Sequence, residues 1–545
     1  MQRLAIAFAA TTALCGVSYA EMSKTEVPLL NGSNANLAEV QHINWWAGDN
    51  VPSIDPGLLE AADAFDVARQ VFEGLFEQDD FGNTIPALAI ETKVSEDLLT
   101  YTFTLRDNAK WTDGRPVTAH DFEYAWRRVV NPMTASDYSY YMAMAGIKNA
   151  QAIIDGEMAP ETLGVKAIDD YHLEVTLEQP KSYFTKMLAF GTMYPVPRWA
   201  IEEHGDAWTH PDNIVSNGAY IWADNTIGEE YTIKRNPMYW DNDHTIVESV
   251  TFKVIPDENQ AFLRYQAGEL DWTQVPTGRY PELVEEAPEH VNVMPNMCVY
   301  YLSFNQRPDG PDFAKDYRVR RALSLAIDRD LMVRGVMRSP DKPTWTFTHE
   351  MTAGFTPHYI DYMDWTQDER DAEAVRLLAE AGYGPDNPLE FTYSYNTSEG
   401  HKKIAIFLQQ QWSQKLGVQS QLENMEWKTF LEERNDGNFE VARDGWCADY
   451  NEPSTWLDLL HSTSSQSNGK MSDATVDALL DLSKTMDDPQ PIYTIIEGMN
   501  AEYKWVVPLY DYTSEYLIRP TVKNFPLTNA QQNWYIKNLY VVDAE

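Results

Sequence analysis

Between Val441 and Trp456 the chain reads VARDGWCADYNEPSTW, which places Arg443, Cys447 and Asp449 among Trp446, Tyr450 and Trp456. Three kinds of chemistry use such residues at such spacing. Cys447 is a nucleophile if a nearby base keeps it as a thiolate. The cysteine and aspartate form a metal site if further ligands converge on them. Otherwise the cysteine is a covalent staple beside a buried anion that holds a cationic ligand. The usual catalytic templates fail: there is no H-E-x-x-H, no Walker loop and no G-x-G-x-x-G, and no G-x-S-x-G elbow stands out. His349-Glu350 lacks a second histidine at the required spacing, and the run Asp241 to His244 lacks the glycine and distal glutamate of a calcium loop. No cofactor and no metal are therefore expected, and nothing specific supports an enzyme.

Bulk properties narrow the partners. The 545 residues carry 83 acidic against 42 basic side chains, a formal charge of −41, which repels nucleic acid and anionic membrane. The length exceeds what one core usually supports, so two or three domains are expected. The first residues, MQRLAIAFAATTALCGVSYAE, combine Arg3, an apolar run from Leu4 to Leu14 and a small-residue site ending at Ala20. They read as a secretory signal peptide, residues 1–20, cleaved after Ala20. A lipoprotein signal at Cys15 is the lesser alternative, because Leu14 is bulky where such signals want a small residue. No other run approaches ~18 apolar residues, so an exported, soluble protein is expected. Cleavage leaves Cys298 and Cys447, a disulfide candidate in an oxidising compartment, with two separate buried thiols as the alternative.

The elements that must position these residues are mixed α and β. Leu99, Tyr101, Phe103 and Leu105 alternate on one strand face, as do Leu173, Val175 and Leu177. SVTFKVIPDENQAFLRYQAGELDW reads as strand, helix, strand, with Asp257 and Gln260 as a capping box and Gly268 closing the helix. In TQDERDAEAVRLLAEAGYG, Thr366 and Glu369 cap a helix whose apolar stripe is Ala372, Val375, Leu378 and Ala379, ended by Gly382. Phe122, Ala125, Trp126 and Val129 share another helix face. MTASDYSYYMAM crowds Tyr138, Tyr140 and Tyr141 into a loop-like segment, and Gly218 precedes a strand opening at Ala219.

Taken in order, FEGLFEQD, AKWTDGRPVTAHDFEYAW, LGVKAIDDYHLEVTLEQP, YRVRRALSLAIDRD, YNTSEGHKKIAI, EWKTFLEER and VARDGWCADYNEP resemble the periplasmic oligopeptide-binding proteins of ABC importers, within the larger peptide and nickel solute-binding family. The resemblance runs over nearly the whole mature chain. It implies an α/β, two-lobed periplasmic-binding-protein fold whose cleft closes on its ligand, with an extra inserted domain. Residues 21–75, 197–297 and 516–545 then form the first lobe, 76–196 the inserted domain and 298–515 the second lobe. The partners it implies are an oligopeptide and the membrane permease subunits of an ABC importer, with the binding protein itself a monomer.

The resemblance also assigns roles. It pairs Cys298 with Cys447 and makes Asp449 the anion that holds the α-ammonium of the ligand, flanked by Trp446, Tyr450 and the backbone of Gly445 and Cys447. A charge-assisted bond to that ammonium is independent of side-chain identity, and so is strand-like pairing to the ligand backbone. Arg434, Arg443 and His401 are the implied cations for the far carboxylate. Trp427, Tyr141 and Tyr512, with its neighbour Tyr510, are the implied pocket walls. Two departures stand out: Met337 followed by Arg338 where relatives carry a lysine, and Asp444 in place of a small residue, adding negative charge near Arg443. A dipeptide, murein-peptide, nickel or other solute carrier on the same fold, a secreted peptidase, and a sensor or folding helper are the rival readings.

Overall fold

The computed structural model describes residues 26–28 and 34–543 apart from 52, 60, 61, 182, 465 and 487, so the leader read at 1–20 lies outside the described residues. Among the described residues the architecture is organised by one eleven-stranded mixed sheet. Its strands are β1 (His42–Ala47), β2 (Tyr220–Thr226), β3 (Glu230–Arg235), β4 (Ser249–Val254), β5 (Trp272–Gln274), β6 (Val291–Phe304), β7 (Lys342–Pro343), β8 (Glu390–Asn396), β9 (Gln419–Met425), β10 (Val441–Cys447) and β11 (Val506–Ile518). The order is β2-β3-β4-β1-β5-β11-β6-β10-β8-β9, with β7 added to β11.

The two longest strands, β6 and β11, run antiparallel through both halves. Their register shifts between Pro295 and Val299, opposite Thr513 and Asp511. Proline has no N–H to give to the ladder, so it sits where the pairing is interrupted. Across this break the packing changes partners. Met294 and Tyr516 belong to the core built on β1–β5, whereas Tyr300, Leu302 and Tyr510 belong to a second core with the helices Tyr317–Leu325 and Glu399–Leu416. A third cluster around Trp456, Tyr493 and Ile496 covers the other face of β6 and takes in Met297, Val299 and Tyr301.

A separate four-stranded sheet, with strands Ala89–Val94, Thr100–Leu105, His172–Thr176 and Val165–Asp169 in that order, lies within the segment 76–196. Its alternating faces bury Tyr101, Phe103, Leu105, Leu173, Val175 and Leu177 as expected, whereas Leu99 precedes its strand, Thr100–Leu105, and is only half-buried. The helix Ala119–Val130 buries Phe122, Ala125, Trp126 and Val129, and Asp121 reaches back to the Thr118 N–H at 2.8 Å to fix its start. These side chains share one continuous core with β1–β5.

Three local expectations change. The helix Gln367–Glu380 has the expected Thr366–Glu369 cap, but Ala374, Leu377 and Leu378 are its buried residues, while Val375 is half exposed. Both stripes contain Leu378 at helical spacing; the one with a second leucine buries more apolar surface. The tyrosine-rich run holds a helix, Ser139–Met144, instead of a loop, because Tyr141 and Met142 pack into the core. The strand after Gly218 opens at Tyr220, one residue late. A side chain at Gly218 would meet the Val71 backbone at 2.5 Å, so only glycine fits there.

Candidate functional site

The site starts from β10. On one side it pairs with β6 over its whole length, Val441 to Cys447. On the other, parallel β8 pairs only with Val441 and Ala442 before diverging to β9. Residues 443–447 therefore present a free strand edge among the described residues. In an antiparallel pair alternate residues turn their N–H and C=O away from the partner. Arg443, Gly445 and Cys447 are those residues here, since the Gly445 N–H points away from β6 to the Asp444 side chain. At ~3.3 Å per residue the edge is about 13 Å long, enough for three to five residues of an extended ligand.

Cys298 and Cys447 face each other in the β6–β10 register, with Cα atoms 3.9 Å apart, and are joined as a disulfide. Sequence alone left two thiols open; the structure closes them into a staple that fixes the end of β10 and the turn into Asp449. Gly445 is not forced by the protein's own packing. A Cβ there would meet its nearest neighbour, the Arg443 guanidinium, at an ordinary 3.5 Å.

Two residues beyond the staple, Asp449 is half-buried, and its Oδ2 is sealed from solvent with no hydrogen-bond partner. Burial without compensation pushes its carboxyl from 3.8 up to about 7. Its charge is felt by Tyr140 and Tyr141, whose hydroxyls burial and this aspartate push well upward. Tyr141 is a core residue whose hydroxyl donates to Met187 O at 3.0 Å, so it is no open pocket wall. Tyr140, beside it, is the half-buried ring facing Asp449, a role the sequence did not separate from its neighbours. Tyr450 is also fully buried: it stacks on Tyr183 from the 76–196 segment and bonds to Ser454 Oγ at 2.8 Å. It packs the two halves together. Trp446 is half-buried, and its Nε1 has no partner.

The cations separate into different classes. The helix Trp427–Asp436 places Trp427, Phe430 and Arg434 at i, i+3 and i+7, one face turned to β10. The Arg443 guanidinium lies 5.8 Å from the Trp427 ring and 5.4 Å from Tyr300, with Nη2 reaching the Tyr512 hydroxyl at 3.5 Å. No carboxylate pairs with Arg443 among the described residues. Arg434, by contrast, gives Nη1 to Asp444 Oδ1 at 2.6 Å, a pair whose side chains are 11% and 1% exposed. Asp444 thus pairs directly with Arg434 and reaches Arg443 only through its field, and Arg434 is no free cation. His401, in the first turn of the helix Glu399–Leu416, is no cation either. Burial and the neighbouring Arg443 hold its ring down at about 3, so it stays neutral.

His401 and Tyr512 open onto a cavity of about 340 Å³ walled by both halves, with Gln274, Tyr280 and Tyr516 on one side and Met337, Ile404 and Tyr510 on the other. Arg338 crosses its rim to Glu282 at 2.9 Å. Asp341 and Glu515 also line it; burial and Asp341 push the Glu515 carboxyl up to about 7. No motif or spacing marks this acidic pair, which only the crossing of β11 and the β7 loop brings together. Trp427, 46% exposed, stands open near the same end.

Residues 83–468 match the family described as bacterial extracellular solute-binding proteins, family 5 Middle. The chain belongs to this family. It is 41% identical to the periplasmic murein peptide-binding protein MppA of Escherichia coli over 521 residues, 95% of each chain. It is equally identical to the periplasmic oligopeptide-binding protein OppA of Salmonella typhimurium over 542 residues, 98% of each. Among solved structures, that of E. coli MppA superposes with a TM-score of 0.86, covering 93% of this family 5 chain and 100% of the other. The unliganded open form of MppA, at the same 41% identity and covering 93% and 98%, gives 0.77. Haemophilus influenzae OppA in complex with RPPGFSPFR gives 0.83 at 35% identity, covering 93% and 100%. The two-lobed α/β architecture is therefore that of the periplasmic peptide-binding proteins, and this chain sits nearer the peptide complex than the open form.

Proposed function

We propose that the chain is an exported receptor that captures oligopeptides between its lobes and delivers them to the permease of an ABC importer, performing no chemistry itself. The observation that carries this reading is Asp449: a half-buried carboxylate, one oxygen sealed from water and without a partner, at the end of an unpaired strand edge. A buried polar atom left unpaired is costly. A peptide supplies what is missing. Its α-ammonium pairs with Asp449, its backbone adds to the edge at Arg443, Cys447 and the carbonyl of Gly445, and its far end enters the 340 Å³ cavity, where His401 in the wall neighbours Arg443, the cation for the terminal carboxylate. Trp427, Trp446, Tyr140 and Tyr512 surround the side chains.

The proposed lobes are 21–75 with 197–297 and 516–545, and 298–515, with 76–196 inserted into the first. The register break in β6 and β11 supports a hinge at these limits. A ligand touching both lobes stabilises closure by its differential contacts. Residues 1–20 act as the cleaved leader, which agrees with the periplasmic location of the relatives.

Mass spectrometry of ligand carried through purification tests the class, and calorimetry with a free and an N-acetylated tripeptide tests the anchor. Peptides are expected in the first, and a loss of at least a hundredfold on acetylation in the second; equal affinity for both forms defeats the amine-clamp reading. Cleavage of the tripeptide during incubation would replace the carrier with a peptidase. Equal identity to a murein peptide-binding relative makes a murein tripeptide the second ligand to titrate.

A further inference from the structure

Asp444 has a second neighbour besides Arg434. Its Oδ1 accepts both the Arg434 Nη1 at 2.6 Å and the Gly445 N–H at 2.9 Å. Its Oδ2 accepts Ser303 Oγ at 2.7 Å and Asn468 Nδ2 at 2.9 Å. One carboxylate oxygen thus sits where a guanidinium and a donor of the ligand-facing strand edge converge. That point is a seat for an oxyanion, and the chain fills it itself.

We infer that Asp444 is a specificity-determining residue, a built-in anion that occupies Arg434 and the Gly445 N–H and so denies acidic peptide side chains a cation beside this strand edge. The inference rests on the reading of this cleft as a peptide groove. An arginine at this place favours ligand carboxylates when it is free, because its donors match their geometry. Here it is already neutralised by a partner tethered three strand positions from the staple, which no dissolved ligand displaces on equal terms. A carboxylate arriving beside it finds no free guanidinium, so it loses its hydration without a compensating partner. Arg434 keeps a second sign of this capture: its Nε is buried without a partner. The fork is turned to satisfy Asp444 with one nitrogen rather than to grip a carboxylate with two.

The test compares tripeptides that differ only by Glu or Gln, at the second or third residue, with Ala-Ala-Ala as the neutral reference. Calorimetry on the parent chain is expected to show the Gln forms binding at least fivefold more tightly. In Asp444→Asn, which keeps the shape and an acceptor oxygen but loses the charge, the Glu-to-Gln preference is expected to shift by tenfold or more towards Glu, with Ala-Ala-Ala within threefold of the parent. The double variant Arg434→Gln with Asp444→Asn removes both charges in near-isosteric form; it is expected to lose the acquired preference and bind Glu and Gln forms alike. A purely structural Asp444 would move all peptides together. Normal binding of Ala-Ala-Ala with Glu-to-Gln ratios within threefold across parent and variants overturns this inference and leaves the peptide-carrier reading standing. Should Asp444→Asn not fold, the parent and double variant still decide, since equal ratios in both are the overturning result. Failure of the parent to bind any peptide overturns the carrier reading first, and this inference with it.

Discussion

Asp444 and Asp449 lie five residues apart on one stretch, and their surroundings are opposites. Asp444 is 1% exposed and receives Arg434, Gly445, Ser303 and Asn468, with the buried Tyr301 hydroxyl also bonded to it. Asp449 keeps one oxygen out of water with nothing to bond it, and its carboxyl is pushed up to about 7. A saturated buried carboxylate is part of the scaffold; a starved one is what the proposed amine clamp requires. The same contrast separates the two arginines, since Arg434 is held by Asp444 while Arg443 has aromatic rings and a hydroxyl around it and no carboxylate bonded to it among the described residues. Residue type and motif position do not reveal which member of each pair is available. Partner count does.

The largest expected effect breaks the comparison on the Asp449 side. Truncating one partner of a buried charge pair costs about 2–5 kcal/mol of binding. Asp449→Asn is therefore expected to weaken tripeptide binding at least about thirtyfold by calorimetry. The unliganded variant should melt no lower than the parent, because the amide ends the burial of an uncompensated charge. Asp444→Ala reverses both outcomes. It strands Arg434 in a buried site, so a loss of about 3 kcal/mol is expected in urea denaturation, while binding of a neutral tripeptide to the folded fraction persists. If the two substitutions behave alike, the division into scaffold and anchor falls.

Protons sharpen the same contrast. The folded value for Asp449, about 7, is above its ordinary 3.8, so its contribution to stability is present at acid pH and lost as pH rises from about 4 through 7. Binding an ammonium requires the ionised form. At about pH 6 peptide binding is expected to release close to one proton from Asp449. At about pH 8.5 Asp449 is already ionised, and the α-amine of the peptide, with pKa about 8, takes up a proton instead. Calorimetry in buffers of different ionisation enthalpy reads both signs. No change of sign between these conditions removes Asp449 from the contact.

Much of this could be read before any coordinates. Alternation at Tyr101–Leu105 and Leu173–Leu177 and the Thr366 cap carried the strands and a helix, because short-range periodicity and capping act locally; the two-lobed fold was implied only by the resemblance that the order of motifs carries. What was not legible depends on partners distant in sequence. The helix Gln367–Glu380 had two stripes compatible with one pattern, and only tertiary packing chose Ala374 and Leu377 over Ala372 and Val375. The resemblance placed Arg434, Arg443 and His401 near the ligand, but their charge states rest on Asp444, on Tyr300 and Tyr512, and on burial. Asp341 and Glu515 are far apart in the chain and meet only where β11 passes the β7 loop.

His401 offers the smallest effect and a clean discrimination. Were it a cation reading the far carboxylate, peptide affinity would fall as pH rises through about 6.5, the ordinary histidine value. Burial and Arg443 place its titration at about 3 instead, leaving a neutral ring with an unpartnered Nδ1 at the cavity wall. Its contribution to stability is therefore lost only as pH falls from about 6.5 towards 3, opposite in sign to that of Asp449. His401→Gln keeps a neutral side chain with polar atoms in place, so tripeptide affinity is expected to stay within about threefold of the parent. The affinity profile between about pH 5 and 8 should keep its shape, because Asp449 and the peptide amine set it. In Asp449→Asn the acid limb of that profile should vanish while the histidine remains. A profile that loses its slope with the histidine and keeps it without the aspartate would transfer the titrating role to His401 and make Arg443 insufficient for the carboxylate.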